Sequence, residues 1–183
     1  LTIKERSNGK PQAALFGSIA GTVTIKDLTI DGANIVYPKD GADFYGAALV
    51  GTYYGNVTVQ NVTVQNSYIS GNNKVAGILA HDGSSSKLLV DGCKVLNSTI
   101  ETTDTNDGGN VGGVLGLFQQ TTSGVENIIR NTTVKGCTIN GINSSDSGKR
   151  ANGQIVGSVI MKKQDTVLKL QDCTVEGNTF VNG

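Results

Sequence analysis

The chain has no tryptophan, one methionine, two prolines and a single histidine in 183 residues, and only 5% of it is aromatic. With His81 as its one imidazole, a multi-histidine metal site is excluded, and any histidine-centred triad would have to use that residue. Cys93, Cys137 and Cys173 are odd in number and lack CxxC spacing, so neither a disulfide framework nor a thiolate zinc site is expected. Fifteen basic residues balance fifteen acidic ones, which leaves no net pull toward nucleic-acid phosphates or anionic lipid. No apolar run approaches the roughly 20 residues that a membrane-spanning helix needs. The chain starts at Leu1 without an initiator Met or a signal-peptide pattern, and we expect a mature chain or a fragment of a larger exported protein. What is abundant is glycine, 25 residues of it, together with Asn, Thr, Ser and Val, which favour strands and tight turns over helices.

A short motif of one small, two apolar and one small residue recurs: Ala14-Leu15-Phe16-Gly17, Ala48-Leu49-Val50-Gly51, Gly77-Ile78-Leu79-Ala80 and Gly113-Val114-Leu115-Gly116. A fifth copy, Gln154-Ile155-Val156-Gly157, has Gln in place of the first small residue. Each is followed by a second motif centred on Ile30, Val64, Val95, Val134 or Val175, at spacings of 34, 31, 39 and 41 residues. Five positions after each centre stands Ile35, Ile69, Ile100, Ile139 or Phe180; five positions before stands Ile25, Val59, Val90, Ile129 or Leu170. The column seven before reads Val23, Val57, Leu88, Asn127 and Leu168, with Asn127 the only polar member. Polar residues alternate with these columns, as in strands with one buried face.

The alternation breaks at fixed offsets. Asp27, Asn61, Gly92, Asn131 and Asp172 occupy one break, and Gly32, Asn66, Asn97, Gly136 and Gly177 another. These residue types tolerate a left-handed backbone, so two corners are expected in each repeat. Corners at constant offsets between buried strands describe a coil, and coils stacked at about 4.8 Å make a parallel solenoid. The expected fold is therefore all-β: a single domain over 1–183, a right-handed parallel β-helix of about five coils. An antiparallel sandwich is the structural alternative. Cys93 and Cys173 fall in one inward column about 10 Å apart, too far for a disulfide, and all three thiols read as small buried hydrophobes.

The motifs resemble the GLUG-type repeat, most closely in Leu15-Phe16-Gly17 and Leu49-Val50-Gly51 and in the strands that follow, Val23–Ile30 and Val57–Val64. That resemblance covers nearly the whole chain after about Gln12. It implies a secreted or cell-surface bacterial protein of the adhesin-like kind, with no catalytic residues to carry over.

Chemistry is sought outside the columns. Glycosidic hydrolysis needs two carboxyls within about 5 to 9.5 Å, whereas Asp27 and Asp172 share a column four coils apart, near 19 Å. The connections at 36–46, 70–74, 101–110 and 140–152 all precede the Gly-type motif and are expected on one side of the stack, where solenoids often bind. They carry Asp40, Asp43, Asp104, Asp107 and Asp146. The run Asp104-Thr105-Asn106-Asp107-Gly108 resembles part of a calcium loop without its full spacing or distal Glu, which leaves Asp104, Asn106 and Asp107 as weak calcium candidates beside the reading of a solvated turn. All five tyrosines lie between positions 37 and 68. Tyr37, Phe44, Tyr45, Tyr53 and Tyr54 are the ligand-binding candidates, as rings for stacking on sugars or on a protein surface; the alternative is that they fill their own loop. No cofactor is expected. The function expected is a non-catalytic, surface-displayed scaffold or binding module for glycan or protein, with neighbouring domains of the same parent chain as partners. A polysaccharide lyase, a glycoside hydrolase or an accessory domain of one is the alternative.

Overall fold

The computed structural model describes residues 2–4, 12–36, 44–102, 109–141 and 151–181. Among them there are strands and turns and no helix. Every strand pairing among the described residues is parallel, which removes the antiparallel sandwich.

The strands gather in three sheets. The six-stranded sheet runs, in spatial order, Thr2–Lys4, Asn34–Val36, Tyr68–Gly71, Thr99–Thr102, Thr138–Asn140 and Thr179–Val181. The five-stranded sheet contains Gln12–Ala13, Tyr45–Ala47, Lys74–Ala76, Asn110–Gly112 and Ala151–Gly153. An eleven-stranded sheet holds the segments between, such as Val50–Gln65 and Leu79–Asp91, which bend through corners without losing their pairing. In each sheet, spatial neighbours are one repeat apart in sequence.

The register follows the sequence columns. Ile30 pairs with Val64, Val64 with Val95, Val95 with Val134 and Val134 with Val175. Ile35, Ile69, Ile100, Ile139 and Phe180 likewise form one row, which Ile3 extends to six by pairing with Ile35. The motif residues Phe16, Val50, Leu79, Leu115 and Val156 pair in order.

Corner chemistry explains how the chain turns. All ten residues of the two expected corner columns have positive φ, between 48° at Asn97 and 66° at Gly32. The other described residues with positive φ are Gly21, Gly55, Ser84, Gly124 and Asp165. They mark a third corner that the column pattern does not reveal, because its length varies between repeats: the register shifts around Ser85, and longer turns occupy 121–125 and 162–166. At Gly55 the backbone approaches so closely that a Cβ would stand 2.4 Å from the Gly21 carbonyl oxygen.

Apolar columns form one core in the interior repeats. Val59, Val90 and Ile129 are fully buried and Ile25 partly so, while the residues one step along (Lys26, Gln60, Asp91, Arg130 and Gln171) lie on the more exposed side. The expected ladder opens at its last rung, where Leu170 is 51% exposed. Asn127, the polar member of its column, is buried and stands in for backbone: its Oδ1 accepts from Leu88 N at 2.8 Å, and its Nδ2 donates to the Val125 and Val167 carbonyls. At the second corner, side chains of the next repeat take up N–H groups, with Ser67 Oγ accepting from Ala33 N, Ser98 Oγ from Ser67 N and Asn178 Oδ1 from Cys137 N. The three cysteines are free thiols; Cys93 and Cys137 are buried, and Cys173, in the last repeat, is partly exposed.

Candidate functional site

The expected aromatic edge needs correction. Phe44 and Tyr53 are fully buried and Tyr45 nearly so, hence none of the three offers a ring face for stacking. Tyr37 lies outside the described residues. Tyr54, at 40% exposure, is the one described candidate that reaches the surface. Its neighbour in sequence points the other way because successive strand residues alternate, and Tyr53 is paired between Ile19 and Asp82. The stretches just before the Gly-type motif are strands of the five-stranded sheet rather than loop; there Gly46 pairs with the core residue Val75, so Tyr45 lies on the face opposite the main core and is buried in a small cluster of its own. There it packs with Ala47 and Ala80, its ring 4.7 Å from that of His81 and 5.4 Å from the Lys74 ammonium. Tyr68 is also exposed and donates its hydroxyl to Glu101.

Asp82 is a buried carboxylate that column reading overlooked. It stands three residues after Leu79, as Tyr53 stands three after Val50 and Phe118 three after Leu115, so the spacing alone would have placed it in the interior. Its Oδ1 accepts from Ser84 N at 3.0 Å and shapes the third corner, where Ser84 holds φ at 96°. Burial, and secondly the Asp82 charge, hold the Tyr53 phenol well above its ordinary pKa. The Tyr53 hydroxyl has no hydrogen-bond partner among the described residues.

The outward walls carry a regular pairing of acids. Asp27 accepts from Asn61, Asp31 from Gln65 and Asn66, and Glu101 from Asn140, each donor lying one repeat further along the chain. Asp91 accepts from Arg130 (Nη2 at 2.8 Å) and Asn131, and Glu126 pairs with Lys169. Hydrogen bonds from Arg130, followed by Asn131, hold the Asp91 carboxyl below the usual carboxylate range, and those from Asn66 and Gln65 do the same for Asp31. These carboxylates are spoken for structurally. Among the described residues no group of three or more His, Cys, Asp or Glu could hold a metal ion. The calcium candidates Asp104, Asn106 and Asp107 lie outside the described residues, as do Asp40, Asp43 and Asp146. No described helix is long and apolar enough to cross a membrane.

Comparisons with family models, with curated proteins and with solved structures return no match to this chain.

Proposed function

We propose that the three parallel sheets close into a right-handed β-solenoid, and that the chain is a non-catalytic scaffold or binding module of the GLUG-repeat, adhesin-like kind, secreted or displayed on a bacterial surface. The observation that carries this reading is the unbroken parallel register of all five motif copies, with Asp27, Asp31, Asp91, Glu101 and Glu126 each bonded to the next repeat. Right-handed closure follows from the strong preference of parallel crossovers for that hand. A wall of mutually satisfied amides and acids suits rigid display, because its polar groups are committed to holding register. Glycan or a surface protein is the ligand class, and Tyr54 is the exposed ring to engage it. A glycan array read beside a reducing-sugar assay on the same polysaccharides tests the proposal. Retention without turnover is the expected result; catalytic release of sugar, lost on replacing a carboxylate, would reject it.

A further inference from the structure

The last repeat exposes what earlier repeats bury. Ile129, Val134 and Ile139 are fully buried, whereas their row partners Leu170, Val175 and Phe180 are 51%, 45% and 40% exposed. Together with Ile155, Val156 and Leu168, Leu170 and Val175 line an apolar concavity at that end of the sheets. The strands Val167–Gln171, Thr174–Glu176 and Thr179–Val181 each pair on one side, so backbone N–H and C=O groups line the same rim.

Charge limits what can cover this end. Along the stack, Asp27, Asp31, Asp91, Glu101 and Glu126 each receive an amide or a cation from the repeat that follows. Asp172, at the first corner of the last repeat, has no such donor among the described residues. Glu176 pairs backward with Lys135 at 3.0 Å, leaving its forward side open. The columns also fix what a second copy would bring in continuing register: Asp27 over Asp172 and Asp31 over Glu176. Carboxylates facing one another at the strand spacing of about 4.8 Å repel.

We propose that this end is the docking face for one further parallel coil of the parent chain, one bearing Asn, Gln, Lys or Arg over Asp172 and Glu176, and that it rejects this chain's own first coil. The inference rests on the solenoid reading above. A coil of that kind would complete the backbone pairing, cover Leu170, Val175 and Phe180, and supply the donors that the two acids lack.

Two extended chains test it. One carries residues 44–71 appended after Gly183, which sets Asn61 over Asp172 and Gln65 over Glu176. The other carries residues 12–36, which sets Asp27 and Asp31 there. The first should melt higher than the 183-residue chain by on the order of 10 °C and slow amide exchange in 167–181. The second should gain less than half of that, and the difference should vanish when Asp172→Asn and Glu176→Gln are introduced. Equal gains for both extensions overturn the charge selection while leaving the solenoid intact. No gain and no added protection from either extension overturn the docking face and the solenoid reading together.

Discussion

Val59 and Leu170 occupy the same column, three repeats apart, yet the structure assigns them different energetics. Val59 is fully buried among Ile25, Val90 and the rest of the core, while Leu170 is half exposed at the open end. Replacing Val59 by Asp removes a buried side chain worth about 1.5–3 kcal/mol and places a carboxyl in an apolar stack, at a further cost of several kcal/mol. About 5 kcal/mol in total is a large part of the roughly 5–15 kcal/mol that holds a domain together. The buried carboxyl would take up a proton, so the cost should shrink as pH falls toward 5. Leu170→Asp forfeits about half a leucine's burial, on the order of 1 kcal/mol, and keeps its charge in water. Urea denaturation at low protein concentration measures both, with Val59→Ala as the size control. Equal costs at the two positions would refute the end-versus-interior assignment, and a Val59→Asp cost below about 1 kcal/mol would refute the column itself.

Tyr53→Phe should leave stability unchanged or raise it by about 1 kcal/mol, since the buried hydroxyl has no partner to lose; a clear loss would show that the phenol is bonded. Asn127→Leu should cost about 2–3 kcal/mol by stranding the Leu88 N–H and removing a donor from the Val167 carbonyl, and faster amide exchange at Leu88 is the specific sign; the Val125 carbonyl keeps its bond from Val167 N. Asp91 and Asp31 have folded pKa values below the ordinary 3.8, so what they contribute is fully present above that value and is lost as pH falls through the folded values. The urea midpoint should therefore drop below about pH 4, less steeply in Asp91→Asn, and an identical drop in that variant would count against the Asp91–Arg130 contact.

Much of this architecture was legible because the solenoid-like pattern writes itself into sequence as columns. Parallel in-register pairing sets chemically similar residues above one another, so Ile30, Val64, Val95, Val134 and Val175 announce both a strand and its neighbours. Corners are legible for a different reason. A left-handed residue must be Gly, Asn or Asp to avoid strain, and the first two columns use only those types. The third corner escaped because one of its members is Ser84 and because insertions around it destroy constant spacing. Thr2–Lys4 escaped as well, for a lone strand without a following motif has no column to join until its partner Asn34–Val36 is known.

The aromatic residues show why site prediction lagged behind fold prediction. Clustering in sequence between positions 37 and 68 suggests a shared surface, but a strand sends neighbouring residues to opposite faces, and the described tyrosines are spread over strands of different sheets. Tyr53 and Tyr54 are adjacent, yet one is interior and the other exposed, as period two requires once the strand is recognised. Tyr45 reads as loop in the sequence because the five-stranded sheet contributes only two or three residues per repeat, too few to display alternation. Its small partners were the available clue. The position two after Tyr45 holds Ala47, and the residues paired onward from it are Ala76, Gly112 and Gly153, a run of small residues. At Gly112 a Cβ would sit 2.0 Å from the Leu115 carbonyl oxygen, so smallness there records a close backbone approach rather than looseness. Small residues recurring just ahead of the motif therefore mark a closely packed wall, and Tyr45 is buried on the side of it away from the main core, against Ala47 and Ala80. Among the exposed apolar surfaces of the described residues, Tyr54 on the side and the apolar end differ in kind: one is a single ring on an otherwise polar wall, the other a concavity lined by Val156, Leu168, Leu170 and Val175 and rimmed by strands paired on one side only.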